Sequence, residues 1–161
     1  MSKGDHENEV FNKFFSYFVA YNIVYNLYAR LKKPSVDLST WDSERAVKIK
    51  EIINNQMEFV FSIDNDIQLF INLLRNFTKE KWAKKSSEYI NDSLERSYQN
   101  RNYSLIIRDV LRMLYKLRCN LFHGGKNMEA PNQQELMDIS AIILKAFLIY
   151  FINRLNDMEF N

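Results

Sequence analysis

The feature that most constrains this chain is its shortage of residues that interrupt helices. It contains only 3 glycines and 2 prolines in 161 residues. A sandwich of short β-strands needs a turn residue about every ten positions, so long uninterrupted segments favour helices instead. Hydrophobic residues make up 47% of the chain, which is enough for one core and excludes intrinsic disorder. We therefore expect a single all-α domain over residues 1–161, with a flexible tail at residues 1–9.

The first segment carries aromatic residues at helical spacing. The six residues are Phe11, Phe14, Phe18, Tyr21, Tyr25 and Tyr28. Their separations alternate between three and four positions, which places them on one face of an α-helix. Such a stripe is typical of a helix packed into a core, and a surface that stacks on a ligand is the alternative. The stripe predicts that the first helix provides a large part of the core.

Helix-capping residues and polar breaks divide the rest of the chain into further helices. These helices are predicted to start at Ser39–Asp42, Asp64–Asp66, Thr78, Tyr103 and Pro131–Asn132. They are predicted to end near Ile63, Phe77, Asn120 and Met158, with a polar break at Gln99–Asn102 after the fourth. The fourth helix is rich in charged residues and is expected to face solvent. This organisation predicts an up-and-down bundle of five or six helices.

Hydropathy and cysteine content bear on location. The most apolar run, Ala141–Ile152, is shorter than the roughly 20 residues that span a bilayer, so burial in the protein is expected. The polar N-terminal residues do not resemble a signal peptide. Cys119 is the only cysteine, so neither an intrachain disulfide nor a cysteine-based zinc site is possible. We expect a cytoplasmic protein that has no membrane contact and needs no metal or cofactor.

One segment, Leu117–Lys126, departs from the regular helical pattern. Two of the three glycines follow directly after His123, one of only two histidines. Arg118 comes one helical turn after Leu114 and therefore continues an apolar face, where an unpaired guanidinium is costly. The glycines are expected to let the chain turn so that Arg118 and His123 converge. A simple helix end, with the histidine complementing the helix dipole, is the structural alternative.

Arginine and histidine together suit phosphate chemistry without a metal. The arginine neutralises the phosphate, and the histidine moves a proton. Residues 79–126 hold 11 basic and 5 acidic residues, a local charge of +6, whereas the whole chain carries +2. Arg108, Arg112 and Lys116 form a row at intervals of one helical turn. This row is predicted to contact an RNA backbone, although a solvated helix face would have the same charges.

The segment from Arg118 to Gly124 resembles the signature of the HEPN family, the helical domains named for higher eukaryotes and prokaryotes nucleotide-binding. That signature is an Arg, four to six residues and a His, often followed by Gly, and here the sequence is Arg118-Cys119-Asn120-Leu121-Phe122-His123-Gly124. The aromatic first segment also resembles the first helix of some members. The resemblance implies a bundle of four or five helices. It also implies a homodimer in which two such motifs share a cleft.

The resemblance further implies a reaction. Active HEPN members are metal-independent endoribonucleases of toxin–antitoxin and phage-defence systems. His123 would be the acid and base for attack of a ribose 2′-hydroxyl on the adjacent phosphate, and Arg118 would stabilise the transition state. The auxiliary phosphate-binding candidates are Asn120, Lys126, Arg112 and Lys116. The expected partners are RNA or a nucleotide, a second copy of the chain and a protein antitoxin.

Two other functions fit the same residues. A non-catalytic HEPN-like module would hold a nucleotide or RNA through Arg118 without cutting it. A structural helical oligomer would use Ala141–Ile152 as its interface, with His123 capping a helix. Many HEPN members carry a polar residue at the position of Cys119, and some carry a modifiable tyrosine at the position of Gly125. Control by tyrosine modification is therefore not predicted for this chain.

Overall fold

The computed structural model describes residues 3–32, 52–78, 85–123 and 131–159. Within these ranges the chain forms helices and no strand, which confirms the all-α prediction. The helices are α1 (Lys3–Lys32), α2 (Gln56–Ser62), α3 (Asp64–Thr78), α4 (Lys85–Gln99), α5 (Tyr103–His123) and α6 (Pro131–Glu159). α1 begins at Lys3 and so includes most of the residues predicted as a tail.

One hydrophobic core joins the six helices of the described ranges. α1 packs along α6, α4 packs along α5, α3 contacts α4 and α6, and α2 contacts α5. The central rings of the aromatic stripe are buried, namely Phe14, Phe18, Tyr21 and Tyr25, while Phe11 and Tyr28 at its ends are half-buried. Tyr21 meets Phe151 of α6 edge to face, with 5.8 Å between ring centroids. The stripe is therefore core, as its spacing predicts.

The predicted second helix needs correction in its described part. Residues 53–55 are not helical, and α2 starts afresh at Gln56. The cause is a reciprocal cap in which Oδ1 of Asn55 accepts from the Glu58 N–H at 3.2 Å, and Nδ2 of Asn55 donates to Oε2 of Glu58 at 2.8 Å. The proposed start at Ser39–Asp42 lies outside the described residues.

The fourth helix also differs from its prediction. Thr78 belongs to α3, and α4 is described from Lys85. Glu88, Asp92 and Arg96 are exposed, as expected for a charged helix. The opposite face is buried against α5, however, and consists of Ser87, Ile90, Asn91, Leu94 and Ser97. The charged residues of α4 therefore face solvent as predicted, while a second face that the prediction did not describe packs into the protein.

A tight turn connects α4 to α5 at the predicted polar break. The N–H of Arg101 donates to the carbonyl of Tyr98 at 3.1 Å, and the N–H of Asn102 donates to the carbonyl of Ser97 at 2.9 Å. This pair of bonds is the Schellman arrangement, which places Arg101 in the left-handed region with φ 53°. Oδ1 of Asn102 then accepts from the N–H of Leu105 at 3.3 Å and caps α5.

Contacts with α3 hold this turn in place. The Tyr98 hydroxyl donates to the Asp64 carboxylate at 2.7 Å, and the Arg101 guanidinium lies 3.7 Å from the same carboxylate. The guanidinium also lies 5.3 Å from the centroid of the Tyr98 ring. Burial, together with the bond to Asp64, raises the pKa of Tyr98. The phenol therefore remains a hydrogen-bond donor throughout the neutral pH range.

The last two helices lie close to their predicted bounds. α5 continues three residues beyond the predicted end at Asn120 and includes His123. α6 starts at Pro131, where a proline fits the first turn because the missing N–H has no acceptor there. None of the helices in the described ranges is long and apolar enough to cross a membrane. The run Ala141–Ile152 is buried on one side of α6 and exposes Ile142, Ile149 and Ile152 on the other.

We expect Arg101→Gly to melt at a higher temperature than Arg101→Ala. Both variants lose the contacts with Tyr98 and Asp64, but only alanine keeps the cost, roughly 1 kcal/mol, of a Cβ in the left-handed region. A difference of that size corresponds to about 2–4 °C in a chain of this length. Thermal unfolding followed by circular dichroism measures it. A higher melting temperature for the alanine variant would contradict the described turn.

Candidate functional site

Arg118 lies where its spacing predicts, at the end of an apolar row on α5. Leu111 and Leu114, which precede it on the same face, are buried in the core. Arg118 itself is half-buried, and its guanidinium carbon lies 5.9 Å from the centroid of the Phe18 ring on α1. Such a contact between a cation and an aromatic face is attractive and grows stronger as water is removed. α1 therefore supports the candidate phosphate-binding side chain.

His123 is part of the same helix as Arg118. Five residues of α-helix turn through about 500°, a net angle of about 140°, and rise about 7.5 Å, so the two backbone positions lie on different sides of α5. The expectation that the glycines let the chain turn so that Arg118 and His123 converge remains a prediction, because both glycines follow the end of α5 at His123. Gly124 and Gly125 lie outside the described residues. Helix geometry alone does not bring Arg118 and His123 of one chain together.

Asn120 lies between the two motif residues and is buried. Its exposure is 8%, and its Nδ2 has no hydrogen-bond partner among the residues that the structure describes. Leaving a buried donor unsatisfied costs about 1–3 kcal/mol, so such a group calls for an acceptor. Water, the remaining residues of the chain or a ligand can supply that acceptor. This amide is available for the phosphate-binding role that the resemblance implies.

The basic row on α5 is built around a buried carboxylate. Asp109 is 0% exposed and accepts from Arg108, with 2.8 Å between Nε and Oδ1 and 3.3 Å between Nη2 and Oδ2. Nη1 of Arg112 lies 3.6 Å from Oδ1 of Asp109. From α4, the Ser93 hydroxyl donates to Oδ2 of Asp109 at 2.7 Å. Arg108 and Arg112 are half-buried, so this row is more than a solvated helix face.

The remaining candidates are less fully defined. Lys116 is half-buried and makes no ion pair with another described residue. Lys126 lies outside the described residues. Cys119 is a free, half-buried thiol. In the described ranges, no group of three or more His, Cys, Asp or Glu side chains is placed to hold a metal ion.

Asp109 is the functional candidate that the sequence prediction omits. It is buried, next to Arg108, between the buried apolar pairs Ile106–Ile107 and Val110–Leu111. An acidic residue in such a stretch is a signal, because a buried carboxylate needs a cation or several donors. Two arginines within three positions of Asp109 supply the cations. The i, i+4 spacing indicates the basic row on the helix surface, but it gives no sign of the carboxylate of Asp109 that is buried beneath the row.

No family model, curated protein or solved structure was found to match this chain. The resemblance to HEPN domains therefore depends on the motif from Arg118 to Gly124 and on the aromatic first helix. The structure shows that the described residues form helices and that Arg118 lies on α5 beside Phe18.

We expect Arg118→Met to unfold within about 1 kcal/mol of the wild type, because a flexible apolar side chain replaces a half-buried charge beside Phe18. Leu114→Ala is the reference, since this buried leucine lies one turn earlier on the same face. Its loss should cost about 2–5 kcal/mol. Urea denaturation measures both free energies of unfolding. A loss in Arg118→Met as large as in Leu114→Ala would make Arg118 a structural residue.

Proposed function

We propose that this protein is a metal-independent endoribonuclease of a toxin–antitoxin or phage-defence system. It cleaves RNA by attack of a ribose 2′-hydroxyl on the adjacent phosphate. The observation that carries the proposal is the half-buried guanidinium of Arg118, held against Phe18 one and a half helical turns before His123. The resemblance to HEPN domains supplies the reaction class, and the position of Arg118, half-buried beside Phe18, supports its assignment as the phosphate-binding cation.

Arg118 stabilises the transition state in this proposal. Attack of the 2′-oxygen adds negative charge to a phosphate that already carries one. A cation held in place and partly shielded from water stabilises that charge more than a mobile surface cation does. The Phe18 ring limits the movement of the guanidinium and, unlike a carboxylate, does not neutralise its charge. The fork of the guanidinium also matches two phosphate oxygens.

His123 transfers the protons in this proposal. In-line attack needs a base at the 2′-hydroxyl and an acid at the leaving 5′-oxygen, and the motif offers one imidazole per chain. Because positions 118 and 123 lie about 140° apart on α5, a twofold partner is the simplest way to complete the centre. α1 also exposes Val19, Ile23 and Leu27 at intervals of one turn, an apolar surface of the kind that oligomers bury.

A binding module without cleavage is the second candidate. The buried amide of Asn120 and the supported guanidinium of Arg118 would hold a phosphate with no proton transfer. Cys119 replaces the polar residue that many HEPN members carry next to the arginine. This candidate predicts binding of RNA or a nucleotide with unchanged RNA length, so a cleavage assay separates the two.

We expect His123→Ala to lower the rate of RNA cleavage by about 10²–10⁴, which is the usual contribution of a general acid or base. Arg118→Ala should lower it comparably. His6→Ala, which removes the only other histidine, is the matched control and should keep full activity. The assay follows an end-labelled single strand and identifies a 2′,3′-cyclic phosphate on the product. Full activity in His123→Ala, or activity lost in EDTA and restored by magnesium, would contradict the mechanism.

We expect light scattering to give twice the monomer mass of 19.3 kDa at micromolar concentration. Ile23→Glu should return the monomer, because Ile23 is 57% exposed on α1 and a carboxylate is costly in an apolar interface. Tyr89→Glu is the control, since Tyr89 is also an exposed apolar side chain but lies on α4. A wild type that is monomeric and active would contradict the shared centre.

A further inference from the structure

We propose that Asp109 is a positioning residue that holds Arg108 and Arg112 as a two-guanidinium site for the backbone phosphates of single-stranded RNA. With Lys116 these residues guide the strand along α5 toward His123. The proposal rests on the proposed function, which supplies RNA as the ligand. The structure supplies the buried carboxylate and its contacts.

Arg108 and Arg112 together carry more positive charge than the carboxylate of Asp109 neutralises. One guanidinium is enough to neutralise a buried carboxylate, and Arg108 already binds Asp109 through two nitrogens at 2.8 and 3.3 Å. Arg112 lies 3.6 Å from the same carboxylate, within the range of an ion pair but beyond a good hydrogen bond. Two cations around one anion leave a net charge of +1 at a half-exposed surface. This excess is what a phosphate would neutralise.

The contacts of Asp109 also hold the two guanidinium groups in place. The Ser93 hydroxyl binds Oδ2 of Asp109 from α4, so the carboxylate is fixed between two helices. The side chains of Arg108 and Arg112 are only 24% and 27% exposed. Free arginine side chains lose rotamer freedom when they bind a ligand, and a guanidinium that is already held loses less. The arrangement therefore favours binding through preorganisation as well as through charge.

The basic row is aligned along α5 with the position of His123. Positions 112, 116 and 123 are separated by four and seven residues, which places them within about 40° of one another around the helix. Arg108 and Arg112 are about 6 Å apart along the axis, and His123 lies about 16 Å beyond Arg112. A strand that follows the row therefore reaches the position of His123. Arg118 lies on another face of α5, packed toward α1, as a composite centre between two chains requires.

The test measures binding of a fluorescein-labelled 2′-O-methyl oligouridylate, which cannot be cleaved by 2′-hydroxyl attack. Fluorescence anisotropy at several salt concentrations gives the affinity and the number of ionic contacts. Arg112→Ala should lower the slope of log affinity against log salt by about 0.7, the value for one phosphate contact with a single strand. Arg75→Ala is the matched control, because Arg75 is an ion-paired arginine on α3, away from the row. It should bind as the wild type does.

Asp109→Asn is the deciding variant because the alternatives predict opposite signs. This substitution removes a negative charge and so raises the net charge by one. If the arginines act only as point charges, the variant should bind the oligonucleotide more tightly. If Asp109 positions them, affinity should fall about 5-fold despite the higher charge. Ser93→Ala leaves every charge in place and should weaken binding in the same direction. Circular dichroism confirms that each variant is folded, and Ser93→Ala decides the question if Asp109→Asn does not fold.

Several outcomes would overturn the proposal. These are unchanged binding in Arg112→Ala, equal or tighter binding in folded Asp109→Asn, unchanged binding in Ser93→Ala where Asp109→Asn does not fold, and no binding by the wild type. Competition by polyglutamate as strong as that by the oligonucleotide would also overturn it, because the row would then accept any polyanion. RNA cleavage that depends on His123 but not on the basic row would contradict this inference and not the proposed reaction. Binding that depends on the basic row, without any cleavage, would contradict the proposed reaction and not this inference.

Discussion

The contact between the Arg118 guanidinium and the Phe18 ring joins the fold to the candidate site. Phe18 belongs to the aromatic stripe that packs α1 into the core, so the position of the charge is set by the same rings that hold the bundle together. Phe14 and Tyr21 pack against Phe18, so a change at either position is expected to shift the Arg118 side chain without contacting it directly.

Two opposite treatments of charge occur on one helix. Arg118 lies against an aromatic ring, whereas Arg108 is bound by the buried Asp109. A ring keeps the full positive charge of its partner, and a carboxylate cancels part of it in return for a fixed geometry. The first treatment suits a transition state that gains charge. The second suits repeated, weaker contacts with a backbone.

Much of the helical architecture follows from the sequence, because periodicity and scarce breakers act locally. The aromatic stripe, the break before Tyr103 and the start at Pro131 are examples. The start of α2 at Gln56 and the burial of one face of α4 were harder to predict, since the first depends on the pairing of Asn55 with Glu58 and the second on how α4 packs against α5. Arg118 stands out in the sequence as a charge that continues an apolar face. The pairing of Asp109 with Ser93, 16 residues apart, depends on how α4 packs against α5, which no local pattern encodes.

Because α5 is continuous through His123, the number of residues between Arg118 and His123 sets the angle between them around the helix axis. Each residue inserted between Arg118 and His123 would turn the histidine by about 100° around the helix axis. The four-residue gap aligns position 123 with Arg112 and Lys116, and a gap of five would carry it well away from both. A single insertion here would therefore act as a register shift, with a larger effect on the site than most substitutions. In homologous chains that keep an unbroken helix, gap length and the placement of basic residues should change together.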